Sequence, residues 1–253
     1  MPVESLFKFV RSRAPRGHFV PDGQRIYAIG DIHGRLDLLD RLLALIVSDD
    51  RDRGPASTAI IFLGDLIDRG PDSRKVVERA MELSAGPLKT RFLMGNHEEV
   101  FLKAISGDVR ALRLLLRIGG KETVFSYGVD AHDYRKLDFE GLAAVLRARV
   151  PQAHVEFLSS FEEAIEVGDY LFVHAGIRPG VTIAQQSATD MRWIRDEFLR
   201  HRDSHGKLVV HGHSVTDQID IQSNRIGIDT GAYASGRLTA VALEKDDRWF
   251  LST

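Results

Sequence analysis

The chain has 253 residues, 43% hydrophobic and 28% charged, enough for one large domain with a well-buried core, which excludes a disordered tail or a coiled coil. Its 34 Lys+Arg against 36 Asp+Glu give a formal net charge of -2, so no overall field recruits nucleic acid or an acidic membrane, and a charged partner must be captured locally. Cysteine is absent, which excludes a disulfide framework, a thiolate metal site and a cysteine nucleophile; metal must sit on nitrogen and oxygen, and a cytoplasmic location is expected.

Residues 1–24 carry Lys8, Arg11, Arg13 and Arg16 and no apolar run suited to a signal peptide or an anchor. They are expected to form a solvated N-terminal extension, followed by a single domain over 25–253. Arg25-Ile26-Tyr27-Ala28-Ile29 reads as a strand that stops at Gly30, and Leu36, Leu39, Leu42, Leu43 and Ile46 follow at helical spacing. The pattern repeats with a strand from Thr58 to Leu63, stopping at Gly64, and a helix stripe of Val76, Val77, Ala80, Met81 and Leu83. A third strand, Arg91 to Met94, stops at Gly95. Apolar strands alternating with amphipathic helices predict parallel pairing, right-handed crossovers and a ligand crevice beyond the carboxyl ends of the strands. From Glu98 to about Phe161 (98–161) the spacing predicts a helical insert. Strands return at Tyr170 to Val173, Leu208 to Val210 and Arg225 to Ile228. Leu238 to Leu243 and Trp249 to Leu251 predict an antiparallel hairpin across Lys245-Asp246-Asp247.

Five of these strands end in metal-competent residues: Gly30-Asp31-Ile32-His33-Gly34, Gly64-Asp65-Leu66-Ile67-Asp68-Arg69-Gly70, Gly95-Asn96-His97-Glu98, His174-Ala175-Gly176, and His211-Gly212-His213. Each alone is ordinary turn chemistry, and Asn96 reads as a helix N-cap whose capping box is completed by Glu99. Five such turns on one rim of a sheet point instead to a shared metal site. Carboxylate, amide and imidazole donors without sulfur suit Mn, Fe or Zn, and Asp65, in the central cluster, is the natural bridge between two ions.

These blocks, in this order, resemble the phosphoprotein phosphatase (PPP) family of calcineurin-like metallophosphoesterases from about Tyr27 to Leu243, the insert excepted. The compact length and the ending Ile228-Asp229-Thr230-Gly231-Ala232 are most similar to its bacterial and phage lambda-type serine/threonine protein phosphatases. The resemblance implies an α/β fold, a metallophosphoesterase-type β-sandwich core of mixed sheets and βαβαβ units flanked by helices, with the helical insert added. It implies two divalent metal ions, manganese above all. Asp31, His33 and Asp65 would hold one; Asp65, Asn96, His174 and a histidine of the last block would hold the other. The family's Gly-His pair maps that histidine to His213, with His211 the fallback. A bridging water, activated by the ions, would attack phosphorus in line, and His97, supported by Asp68, would protonate the leaving group. Arg69 is the strongest phosphate clamp; Arg195, in Trp193-Ile194-Arg195, is a second, and Arg178 competes with it. Tyr233 either approaches the metals or packs within its turn.

The activity so implied is metal-dependent dephosphorylation of phosphoserine and phosphothreonine in a phosphoprotein or phosphopeptide, with phosphotyrosine within range. The alternative is symmetrical diadenosine-tetraphosphate hydrolysis. Those related enzymes share the metal blocks, but tend to lack the pair seen as Asp68-Arg69 and to carry Gly-His-Trp where this chain has Gly212-His213-Ser214. A non-catalytic relative would be missing ligands, and none is missing. Neither nucleic acid nor membrane is an expected partner, for there is no aromatic-basic strip to hold a strand.

Overall fold

Alternate side chains of the first strand enter two different cores. In the computed structural model, which describes residues 17–253, β1 (Gln24–Ile29) sends Ile26 and Ala28 to one face and Tyr27 and Ile29 to the other. A period of two thus turns a continuous apolar run into a strand covered on both sides. After α1 (Leu36–Arg53), β2 (Ser57–Phe62) pairs in parallel with β1. After α2 (Ser73–Ala85), β3 (Lys89–Phe92) pairs in parallel with β2. These crossovers are the expected ones.

Next come α3 (Asn96–Ile105), α4 (Val109–Ile118), α5 (Gly120–Ser126), α6 (Ala131–Lys136), α7 (Phe139–Arg149) and α8 (Gln152–Ser159), the helical insert. Asp108, Asp130 and Asp138 cap α4, α6 and α7 by accepting from first-turn N–H groups. A second sheet follows, from β4 (Ala164–Val167), β5 (Tyr170–Val173), the short helices α9 (Ala188–Trp193) and α10 (Asp196–Leu199), β6 (Leu208–His211), β7 (Asp220–Ile221) and β8 (Arg225–Gly227). After α11 (Ala232–Ser235), the hairpin β9 (Thr239–Glu244) and β10 (Asp247–Ser252) returns to β1.

The sheets therefore run β10-β9-β1-β2-β3 and β4-β5-β6-β8-β7, both mixed. Ile26, Ala28 and Ile61 of the first meet Phe172, Val210 and Ile226 of the second. The outer face of the first sheet is covered by α1, α2, α3 and the insert. Leu171, Val173 and Val209 of the second lie under Met191, Ile194 and Phe198. The fold is the α/β sandwich implied by the resemblance. The expectation of one shared sheet rim is corrected: three of the five chemical blocks end strands of the first sheet and two end strands of the second. Periodicity cannot assign sheet membership when every strand is buried on both faces.

Residues 1–16 of the expected extension lie outside the described residues, and the remainder is not wholly solvated. Val20 is buried between the sheets, and the N–H of Phe19 donates to Asp169 Oδ2 at 2.8 Å. Among the described residues no helix is long and apolar enough to cross a membrane.

Candidate functional site

Loops beyond β1, β2, β3, β5 and β6 converge on Asp65, and their backbone is strained where they do. Of six non-glycine residues with positive φ among the described residues, five are here: His33 (48°), Asp65 (51°), Asp68 (72°), Arg69 (66°) and His213 (61°). Such conformations cost about 1–3 kcal/mol each and persist only where the surroundings over-determine them. Glycines make the close approach: a Cβ on Gly95 would lie 2.2 Å from Asp65 Oδ1, and one on Gly212 would lie 2.0 Å from Asp31 Oδ1.

Asp65 Oδ2 is the hub. It lies 3.4 Å from His174 Nε2, 3.7 Å from His33 Nε2 and 3.8 Å from His97 Nε2. Two trios, His33/Asp65/His97 and Asp65/His174/His213, have their donor atoms within 4.8 Å of one another. His33 Nδ1 donates to Ile67 O at 2.8 Å and His174 Nδ1 to Leu63 O at 2.7 Å, which turns each Nε2 toward the hub. Asn96 Oδ1 is 3.0 Å from His174 Nε2. His213 Nε2 and Asp229 Oδ2 are buried with no hydrogen-bond partner among the described residues. Orphaned lone pairs among nitrogen and oxygen donors are what a bound divalent cation satisfies, so these residues fit metal ions. Asp31 completes neither trio; its two oxygens accept the His213 N–H at 3.2 and 3.0 Å.

Charge is the second signature. Burial, reinforced by Asp229, pushes the Asp31 pKa well above the usual carboxylate range. Burial would do the same to Asp65, but His174 and His97 outweigh it and hold that carboxyl well below. Burial also opposes charge on His174, yet Asp65 and Asp31 raise its pKa to about 10. Burial lowers His33 to about 3; burial, helped by His174 and more weakly by Arg195, lowers His213 to about 2. Both imidazoles are therefore neutral, as ligation requires.

On the side facing the insert, His97 Nδ1 donates to Asp68 Oδ2 at 2.6 Å, leaving Nε2 3.8 Å from Asp65 Oδ2 and 3.3 Å from Arg69 Nη2. Burial disfavours the charged His97 ring, but Asp65 and the bond to Asp68 win, and its pKa rises. The Arg69 guanidinium lies over the Tyr233 ring at 4.5 Å, and Tyr233 meets His33 edge-on at 5.4 Å, so this tyrosine does approach the site. Neither Arg69 nor Arg195 has a carboxylate partner among the described residues. Arg178 is corrected. It is held by Asp190 at 2.6 and 3.0 Å and by Glu197 at 2.9 and 3.0 Å, which spends the guanidinium fork that a phosphate would need.

His213, and not His211, joins Asp65 and His174. The His211 ring lies on the outer face of the second sheet, 5.1 Å from Phe198. The Asn96 capping box is corrected too: Gly95 is the N-cap of α3, and Glu98 reaches back to its N–H at 3.2 Å. Glu98 also accepts from the N–H groups of Asp65 and Leu66 at 2.8 Å each, which fixes the hub's backbone. Glu99 instead accepts from Trp193 Nε1 at 2.9 Å. Three residues had no role in the sequence reading: Glu98, Asp229 and Thr123, whose hydroxyl donates to Asp68 Oδ1 at 2.5 Å. Asp229 could have been found by the same sign as the others, an acidic residue just past a strand. Thr123 carries no local sign.

Over residues 24–242 the chain matches the family model described as calcineurin-like phosphoesterase. It is 25% identical over 236 residues, 84% of this chain and 88% of the relative, to an asymmetrical bis(5'-nucleosyl)-tetraphosphatase of Anoxybacillus flavithermus. It is 32% identical over 167 residues to a symmetrical bis(5'-nucleosyl)-tetraphosphatase of an Acidovorax species, covering 64% of this chain and 48% of that relative, so it spans about half that relative's length. A solved structure provisionally described as a diadenosine tetraphosphatase shares the fold, with TM-score 0.62 and 21% identity over 88% of this chain and 90% of that one.

Proposed function

This chain belongs to the calcineurin-like phosphoesterase family, and from that premise we propose that it cleaves bis(5'-nucleosyl) tetraphosphates at a phosphoanhydride. Its coarser character is that of a metallophosphoesterase hydrolase. The observation that carries the finer reading is the likeness to the asymmetrical tetraphosphatase across 84% of this chain and 88% of that protein. It shifts the weight from protein dephosphorylation to the alternative, and from equal to unequal products.

Asp31, His33, Asp65, Asn96, His174 and His213 would hold the divalent ions, with manganese our first choice for this donor set. When bound, such ions lower the pKa of a coordinated water and draw charge from the phosphoryl oxygens. Arg69 and Arg195, neither tied to a carboxylate among the described residues, would grip the polyphosphate oxygens. Asp68 holds the His97 ring by Nδ1, leaving Nε2 beside Asp65 and Arg69, where it would carry a proton to the departing oxygen.

That last pair supports a second reading. A nucleotide phosphate leaves readily, whereas a serine or threonine alkoxide departs only when protonated, so a complete acid pair favours a phosphoprotein substrate. One manganese-loaded sample should be assayed on diadenosine tetraphosphate, a phosphoserine peptide and 4-nitrophenyl phosphate, with nucleotides resolved by chromatography. The expected result is ATP plus AMP, with kcat/KM at least about tenfold above that for the peptide. A higher kcat/KM on the peptide overturns the proposal in favour of the second reading.

A further inference from the structure

At Gly119 (φ 112°) the insert passes from α4 to α5, and there it touches the loop that carries Asp68 and Arg69. Gly119 O accepts from the Arg69 N–H at 2.8 Å, and a Cβ on Gly119 would lie 2.6 Å from Arg69 Cγ. One turn on, Thr123 Oγ1 and Ser73 Oγ each accept from the Asp68 N–H at 2.9 Å. The threonine hydroxyl has a single proton. An ionised Asp68 can only accept, so that proton goes to Oδ1, at 2.5 Å. Asp68 Oδ2 is then left with His97 Nδ1 at 2.6 Å. Asp68, Ser73 and Thr123 are all 0% exposed, so no bulk water competes for these bonds. Asp68 and Arg69 both hold left-handed backbone, at 72° and 66°, and Gly119 and Thr123 of the insert are among the groups that clamp them.

We propose that the helical insert is part of the proton-delivery machinery, with Thr123 the positioning residue that aims the Asp68–His97 pair and Gly119 the contact that sets Arg69. Without the hydroxyl, Asp68 Oδ1 is a buried acceptor lacking its donor. The carboxylate must then rotate to find another, and Oδ2 and the imidazole turn with it. The assignment rests on His97 serving as leaving-group acid in the function proposed above.

Thr123→Val and Thr123→Ser separate aim from bulk. Turnover of phenyl phosphate and 4-nitrophenyl phosphate should be compared in each, with metal content measured alongside. Zinc-loaded protein should be examined for the downfield proton signal of the His97 Nδ1–H, assigned by its loss in His97→Asn. Thr123→Val is expected to lower kcat on phenyl phosphate about 10–100-fold, with a smaller loss on the 4-nitrophenyl ester. Metal content should stay constant, the proton signal should shift or broaden, and Thr123→Ser should restore both rate and signal. Equal losses on the two esters, an unmoved signal, or a serine variant as impaired as the valine variant would overturn the proposal. If the wild type cleaves neither ester, the proton signal alone decides: a signal unmoved in Thr123→Val overturns the proposal.

Discussion

Around Asp65, His213 Nε2 and Asp229 Oδ2 are buried with no partner among the described residues; the polar atoms of Asp68 itself are all paired. The Asp68 N–H meets two hydroxyls, its carbonyl accepts from Gly70 at 2.7 Å, and its two carboxylate oxygens take Thr123 and His97. The first arrangement is costly unless a cation completes it; the second is complete and therefore rigid. A ligand site must keep lone pairs free, whereas a group that aims a proton must have only one orientation left to it. Damage to the two halves should consequently look different.

Asp65→Asn tests the open half most severely, because Asp65 is the one carboxylate common to both proposed ion sites, with His33 Nε2 and His174 Nε2 at 3.7 and 3.4 Å from it. Metal analysis should find both ions lost, with turnover falling by roughly 10⁴-fold. Retention of both ions with high activity would dissolve the distinction between the halves. His97→Asn tests the saturated half. It should keep both ions yet lose about 10²-fold or more on phenyl phosphate, and distinctly less on 4-nitrophenyl phosphate, whose leaving group needs no proton.

A finer cut lies between two histidines a glycine apart. His213→Ala should lose one ion per chain, whereas His211→Gln should keep both and lower stability by about 1–3 kcal/mol. Burial holds the His211 pKa down at about 4, so the folded state favours the neutral ring. Its contribution is complete above the ordinary value near 6.5 and is lost as pH falls from there toward 4. The stability difference between wild type and His211→Gln, read by thermal denaturation, should shrink over that range. The smallest effect is expected at Arg178, whose ion pairs are exposed: Arg178→Ala should leave kcat and KM within about twofold and stability within ~0.5 kcal/mol. Arg195→Ala should raise KM about tenfold. A matching rise in the Arg178 variant would contradict its pairing with Asp190 and Glu197.

Asp31, His33, Asp65, Asn96, His97 and His174 were legible because each sits within a few residues of a strand's end, so strand and chemistry are read in one window. Glu98 was misread in favour of Glu99 because a shift of one residue in the helix start moves the capping position, and helix starts are poorly fixed by pattern. β7, at two residues, is too short to impose a period, and β4 (Ala164–Val167) carries Glu166 and one buried residue where the equally short β5 is apolar and buried throughout. Arg178 looked as free as Arg195 until the fold brought Asp190 and Glu197 to it.

The sequence by itself determined the strand-loop-helix units, the nitrogen and oxygen character of the donor set, and the family to which the chain belongs. Those properties are written in neighbouring residues and in the alternation of apolar side chains. Only the tertiary structure decided that two sheets supply the rim, that His213 faces the hub while His211 faces Phe198, and that Thr123 meets an aspartate 55 residues away. Contacts at such separations depend on how buried faces pack, and a strand apolar on both sides carries no local mark of what lies against it.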